Sequence, residues 1–354
     1  MNQIDEFLRQ LITRNGSDLH LVAGQPPRMR VYGELNPLRS EPLSRDEAQE
    51  LIMPMMTSQA LKHLEEHDSC DFAYALQDIA RFRVNVFQHL GGMGSVMRAI
   101  PSQAKTLAEL NLPPVIKNLC RHTQGMILVT GKTGSGKSTT LAAMIDEINK
   151  TLSGHILTIE DPIEFVHQRH KCLISQRELG VHTASFSDAL HSGLREDPDV
   201  ILVGEMRDLE TISIAVTAAE MGILVLGTLH TNGAGATVDR IVNTFPSNKQ
   251  NHVRTMLSTS LRGVVSQQLI PRADGKGLVA ALEIMVNTSA VANIIRQGKL
   301  DQLSNTMQGG RKDGMTTMDF AIKKLMNDGI ITGKAAYESA IEKRSFEDVK
   351  DLNA

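Results

Sequence analysis

The pattern of apolar and polar positions divides the chain into two stretches of different rhythm. The first hundred residues read as a small α+β unit. A helical pattern covers about Gln3–Asn15, the segment Ser17-Asp-Leu-His-Leu21 follows it, and Pro26-Pro27 then breaks the chain. Arg28-Met-Arg-Val-Tyr32 predicts a strand, and a helical pattern returns over about Arg45–His67, divided at Pro54 because proline interrupts a helix. Arg81-Phe-Arg-Val-Asn-Val-Phe87 alternates polar and apolar side chains as a half-buried strand does. Gly91-Gly-Met-Gly94 predicts a turn into a second hairpin arm, Ser95–Ile100. Residues 1–101 are thus expected to form one domain and 102–114 a linker.

Beyond the linker, short apolar runs alternate with helical patterns, which predicts a parallel sheet covered by helices over 115–354. The predicted strands are Met126–Thr130, His155–Ile159, Val200–Val203 and Ile223–Thr228. From about residue 275 the pattern reads as mostly helical, with breaks at Gly309-Gly310 and Gly329.

Composition narrows the functional classes. The 354 residues carry 41% apolar side chains, no Trp and 3 Tyr, so the core must be aliphatic and rich in Met. A net charge of −3 gives no electrostatic footprint for nucleic acid. The three cysteines, Cys70, Cys120 and Cys172, stand apart in sequence, which argues against a zinc or disulfide framework and for a reducing compartment. The first ten residues hold acids and no apolar core, unlike a secretory signal, and no apolar run approaches the ~20 residues that span a bilayer. A cytoplasmic protein, or one peripheral at the inner face of the membrane, is expected.

The chemistry starts at Gly131-Lys-Thr-Gly-Ser-Gly-Lys-Ser138, which fits G-x-x-x-x-G-K-[ST] without gap or substitution. An apolar strand leads in and a helical pattern, Ser138 to about Lys150, leads out. Gly131, Gly134 and Gly136 let successive N–H groups face one centre, Lys137 would reach the β- and γ-phosphates, and Ser138 would ligate Mg²⁺. Asp199-Val-Ile-Leu-Val-Gly-Glu205 is a buried-strand pattern closed by an acid, so Glu205 is placed to hold Mg²⁺ directly or through water. Glu160-Asp-Pro-Ile-Glu164 sets three acids at another strand end, where one could activate water or all could form a solvated turn. His230 closes the apolar strand before Thr231-Asn232 and could sense the γ-phosphate or be structural.

At these residues the chain resembles the secretion-ATPase superfamily, most closely its type IV pilus retraction branch. Gly131–Thr139 matches the Walker A box, Ile159–Glu164 the Asp box, Leu194–Asp208 the Walker B box and Thr228–Asn232 the His box; Gly16–Leu21 and Arg81–Asn85 are also similar. The resemblance implies a homo-hexamer whose subunits pair an N-terminal PAS-like α+β domain with a RecA-like P-loop ATPase domain and C-terminal helices. It implies ATP and Mg²⁺ as ligands, with Gly131, Thr133, Gly134, Ser135, Gly136, Lys137, Ser138 and Thr139 around the nucleotide. Glu164 is implied as the activator of water, with Glu205 acting through Mg²⁺ and His230 nearby. Arg83 and Arg98 match arginines that approach the γ-phosphate when the domains close; from their pattern alone they read as solvated strand residues.

The short chain and the absence of a four-cysteine insertion favour the retraction branch over assembly and secretion ATPases. Ala290-Val-Ala-Asn-Ile-Ile-Arg-Gln297 matches the branch's C-terminal helix motif, except that Ala292 and Gln297 stand where the motif carries a cation and an anion. The expected function is an ATP-hydrolysing motor for pilus retraction and twitching motility, acting on an integral-membrane platform protein. An assembly or secretion paralogue, a RecA-like nucleic-acid motor and a non-hydrolysing nucleotide sensor are the alternatives.

Overall fold

Two sheets of opposite character organise the chain in its computed structural model, which describes residues 3–31, 33–76, 79–100 and 104–351. One compact unit comprises Met1–Gln103 with Glu164–Val166, and the other comprises Ala104–Ile163 with His167–Ala354. The expected boundary at 101–102 and the strand end at Tyr32 lie outside the described residues.

In the first unit, α1 (Gln3–Thr13) buries Ile4, Phe7, Leu8 and Leu11 along one stripe. The strands β1 (Asp18–Val22), β2 (Arg28–Val31) and β3 (Glu34–Pro37) precede two helices, α2 (Arg45–Ile52) and α3 (Ser58–His67). The Ser44 and Thr57 hydroxyls cap these helices by accepting from Glu47 N and Ala60 N, and Pro54 sits in the short 3-10 turn Met53–Met55 that separates them. Strands β4 (Ser69–Leu76), β5 (Ala80–His89) and β6 (Gly92–Ile100) complete an antiparallel sheet in the order β3-β2-β1-β6-β5-β4. On β5, Phe82, Val84 and Val86 are buried while Arg83 is exposed, as the alternation predicts. The β5–β6 turn is tighter than the expected Gly91–Gly94, because His89 pairs with Gly92 and the turn is Leu90-Gly91. Gly94 lies inside the strand, where a Cβ would meet the Phe87 ring at 2.7 Å.

The second unit begins with α4 (Pro114–Leu119) and continues through β7 (Gly125–Thr130), α5 (Lys137–Thr151), β8 (His155–Glu160), β9 (Leu173–Glu178), α6 (Phe186–Gly193), β10 (Val200–Val203), α7 (Leu209–Glu220) and β11 (Leu224–Leu229). Helices α8 (Ala234–Thr244) and α9 (Ser247–Ser260), strands β12 (Leu261–Pro271) and β13 (Leu278–Val286), and helices α10 (Ser289–Gln297), α11 (Leu303–Gly309), α12 (Met318–Asn327) and α13 (Gly333–Ser339) follow. The sheet order is β13-β12-β7-β11-β10-β8-β9, parallel from β12 to β9 with β13 antiparallel at one edge. This is the α/β, parallel-dominated architecture the alternation predicts. Strands β7, β10 and β11 are buried along their whole length because helices cover both faces. Ile127, Val129, Leu202 and Leu226 pack with Met144 and Ile148 of α5, while Leu128, Ile201 and Val225 pack with α7, α8 and α9.

One expectation needs correction. The stretch from about residue 275 starts not as helix but as β13, which pairs with β12 from Pro271↔Leu278 to Gly263↔Val286 around an Asp274-Gly275-Lys276-Gly277 hairpin tip. Its Leu-Val-Ala-Ala-Leu-Glu-Ile-Met-Val run contains good helix formers, and pairing with a long neighbour overrides that propensity. Helices take over only at Ser289. Among the described residues no helix is long and apolar enough to cross a membrane.

Phe82 is the largest side chain of the first unit with no exposed surface. Phe82→Ala is expected to cost about 3–5 kcal/mol, read as a lower urea midpoint by circular dichroism.

Candidate nucleotide site

Parallel strands deliver their C-terminal ends to one edge of the sheet, and here β7, β11, β10 and β8 are consecutive neighbours. The loop after β7, the His230 turn after β11, Glu205 after β10 and Glu160 at the end of β8 therefore come together although they are up to 99 residues apart in the 131–230 stretch.

The loop 131–136 turns on three glycines at positive φ: 142° at Gly131, 78° at Gly134 and 87° at Gly136. At two of them space as well as conformation excludes a side chain. A Cβ on Gly131 would lie 2.3 Å from the Gln267 carbonyl oxygen and 2.6 Å from Ser135 Oγ, and one on Gly136 would lie 2.7 Å from Gln267 Nε2. Gly136 opens α5, which has no capping side chain of its own, so its first N–H groups are available to an anion. Lys137 is buried, and its Nζ donates to the carbonyls of Gly131 (2.9 Å) and Lys132 (3.1 Å), drawing the loop over its own cation. Thr133 and Gly134 are exposed at the crest, and Ser138 and Thr139 are half-buried in the first helical turn. Ser135 Oγ is buried and has no hydrogen-bond partner among the described residues. A glycine-shaped cradle with a buried cation and an unmet hydroxyl fits a polyphosphate.

Three residues that local sequence did not reveal steady this loop and the turn after β11. Gln267 of β12 donates from Nε2 to the Ser135 carbonyl (2.6 Å) and accepts at Oε1 from the Thr140 hydroxyl (2.8 Å). On the opposite face of the strand, Ser266 accepts from Gly233 N (2.8 Å), while Glu283 of β13 accepts from Ala234 N (2.8 Å) through Oε1 and from Met318 N (3.2 Å) through Oε2. Glu283 thereby supplies the first turns of both α8 and α12. Their only sequence signal is a polar residue inside an apolar strand. The crest Lys132–Ser135, Asn232-Gly233 and the segment Glu338–Ile341 line a cleft of about 610 Å³.

Glu205 lies in a three-group cluster. Its Oε1 is 3.0 Å from His230 Nε2 and 2.5 Å from Arg207 Nε. Burial alone would raise its carboxyl pKa, but the hydrogen bond from Arg207 and the charges of His230, Arg207 and Lys137 outweigh burial and hold it below the ordinary 4.5. The backbone of the segment is tied to the strands on both sides, β8 and β11. Gly204 N donates to Ile159 O (2.7 Å), the Thr228 hydroxyl to Gly204 O (2.5 Å), and Met206 N to Thr228 O (3.0 Å). Asp208, two residues on, caps α7 by accepting from Thr211 N at 2.8 Å.

The three acids of 160–164 part company. Glu160 turns inward, nine-tenths buried, and accepts from the Thr158 hydroxyl (2.6 Å) and Gln176 Nε2 (3.4 Å). Asp161, whose bond to Pro162 is cis, and Glu164 are exposed. Glu164–Val166 group with the first unit, whereas Ile163 and His167 on either side belong to the second. Asn149 of α5 fixes the far end of this irregular segment, donating to Gln168 O (2.7 Å) and accepting from His170 N and Cys172 N.

Arg83 and Arg98 belong to the first unit, directly opposite each other on β5 and β6. Arg98 Nε donates to the buried Asp18 carboxylate at 2.8 Å, and Arg83 Nε lies 3.5 Å from Asp71. Burial would raise the Asp18 carboxyl pKa, and the hydrogen bonds from Arg98 and Ser17 reverse the direction and hold it low. On α10, Val291, Ile294 and Ile295 pack into the core, Ala292 is half-buried, and Asn293, Arg296 and Gln297 face outward.

Residues 1–337 match the family model described as Type II/IV secretion system protein. The chain is 50% identical over 337 residues to the type IV pilus retraction ATPase PilT of Pseudomonas aeruginosa, covering 95% of this chain and 98% of that protein. It is 50% identical over 325 residues to the twitching motility protein of Neisseria gonorrhoeae, covering 92% of this chain and 87% of that protein. The crystal structure of the pilus retraction motor PilT with bound ADP superimposes with a TM-score of 0.91 at 44% identity, over 98% of this chain and 99% of that one.

Because the Glu205 carboxyl pKa is lowered by folding, the unfolded chain binds more protons than the folded one around and below pH 4.5, and stability falls as pH drops through that window. Urea midpoints taken from about pH 6 to about pH 3 are expected to fall less steeply for Glu205→Gln than for the parent.

Proposed function

The chain belongs to the type II/IV secretion system protein family, and from that membership we propose that it is an ATP-hydrolysing motor that drives retraction of type IV pili. The observation that carries this reading is the cradle at 131–138: three positive-φ glycines, a buried Lys137 and an uncapped helix start, beside a Glu205–His230 pair. The ADP held by a relative of nearly the same fold supports the nucleotide assignment.

In this reading the loop N–H groups and Lys137 bind the phosphates, with Gly131, Thr133–Gly136 and Ser138-Thr139 around them. Ser138 and Glu205 would hold Mg²⁺, an oxygen-donor pair suited to that cation, which neutralises charge on the phosphate oxygens when bound. Glu164 takes the proton of the attacking water. Its exposure and freedom from the inward hydrogen bonds that occupy Glu160 support that choice over Glu160. His230, hydrogen-bonded to Glu205, links that carboxylate to the γ-phosphate position. The working form is a homo-hexamer at the inner face of the cytoplasmic membrane, acting on an integral-membrane platform protein.

Lys137→Ala is expected to lower ATP turnover by about 10²-fold or more, and Glu164→Gln by about 10²–10⁴-fold, in a steady-state phosphate-release assay. Full activity in either variant overturns the site assignment. Deleting the gene is expected to leave surface pili present or in excess while abolishing twitching; loss of pili would instead mark an assembly motor. Ala292→Arg with Gln297→Glu, tested in a strain lacking its own retraction motor, reads out whether the outer face of α10 sets retraction.

A further inference from the structure

A peptide plane that binds phosphate through its N–H must point its carbonyl the other way, because the two groups are antiparallel across a trans peptide. In the Ser135–Gly136 peptide the carbonyl is turned to the back of the loop, where Gln267 Nε2 donates to it at 2.6 Å. The Gly136 N–H is thereby aimed into the concave side. The same amide accepts from the Thr140 hydroxyl at 2.8 Å, one turn into α5, so a single side chain ties the loop to the helix that follows it. The main chain of Gln267 also abuts the loop, its carbonyl oxygen lying 2.3 Å from where a Cβ of Gly131 would stand. Gln267 is only 4% exposed, so breaking either hydrogen bond leaves a buried polar group short of a partner.

We infer that Gln267 is a positioning residue for nucleotide binding, setting the orientation of the phosphate-binding peptide planes from strand β12 without touching the nucleotide. The inference rests on the nucleotide reading above. The chemistry is particular to glutamine. The site needs one donor for a carbonyl and one acceptor for a hydroxyl on the same planar group. Glutamate offers no donor when ionised, lysine offers no acceptor, and asparagine is one methylene too short to reach both partners. A contact of this kind acts on the bound ground state and the transition state alike, so its loss raises KM and leaves kcat nearly unchanged.

The test uses the full chain, steady-state ATP hydrolysis and equilibrium binding of a fluorescent ADP. Gln267→Met keeps the volume and removes both hydrogen bonds. It is expected to raise KM for ATP and weaken ADP binding by about tenfold, with kcat changed less than about twofold. Gln267→Asn is expected to do the same and serves if the Met variant does not fold. Thr140→Val, which leaves the bond to Ser135 intact, is expected to shift KM by less than about twofold. Asn287→Ala removes hydrogen bonds from the distant end of β13 to Ser258 and Leu261, and is expected to lower the melting temperature with KM unmoved. Unchanged KM and ADP affinity in both Gln267 variants overturn the inference and leave the nucleotide reading standing. An equal KM rise in Asn287→Ala overturns it too, since the effect would then be general destabilisation. A parent protein that binds no fluorescent ADP overturns the nucleotide reading and this inference with it.

Discussion

Everything at the functional edge depends on turning several backbone N–H groups of one short loop toward a single point. That geometry is unfavourable for an ordinary chain: it demands positive φ at Gly131, Gly134 and Gly136, and it leaves carbonyls facing the other way that need partners of their own. The partners come from inside and from behind. Lys137 collects the carbonyls of Gly131 and Lys132, and Gln267 takes that of Ser135. The close approach of β12 that makes the last contact possible is also what forbids a Cβ at Gly131 and Gly136. The glycines thus answer two requirements together, one conformational and one steric.

The rest of the sheet serves the same edge. Ser266 and Gln267 are consecutive on β12 and point to opposite faces, so one strand segment steadies the loop after β7 on one side and the start of α8, just past His230, on the other. Glu205 and His230 follow strands that are immediate neighbours, β10 and β11, and the Thr228 hydroxyl fastens the end of one to the end of the other. Position in the sheet order, rather than nearness in sequence, assembles the group.

This division explains what could be read from the sequence alone. The glycine loop, the apolar strands β7, β8, β10 and β11 and the acid closing β10 are local patterns, and each was legible. Strands β3, β4, β9, β12 and β13 were not. β3 is exposed at all four positions, and β9 reads Leu-Ile-Ser-Gln-Arg-Glu with little apolar alternation. β12 breaks its own apolar run at Ser266-Gln267-Gln268, where its side chains meet the loops. Gln267 reaches across 132 residues to Ser135 and Glu283 across 49 to Ala234, distances at which no pattern in a single sequence carries information. The three acids of 160–164 were alike in sequence; a hydroxyl at Thr158 and an amide at Gln176 separate the inward one from the others.

Glu283 carries one more implication. Its two oxygens are each committed to a different helix, one at the start of α8 beside the His230 turn and one at the start of α12 in the C-terminal helical part. Neither cap can be withdrawn without a buried carboxylate losing half its partners, at a cost that falls on whichever helix remains attached. The first turns of α8 and α12 are therefore thermodynamically linked. One buried side chain of β13 thus serves as the common anchor of a helix beside the nucleotide edge and a helix of the C-terminal part.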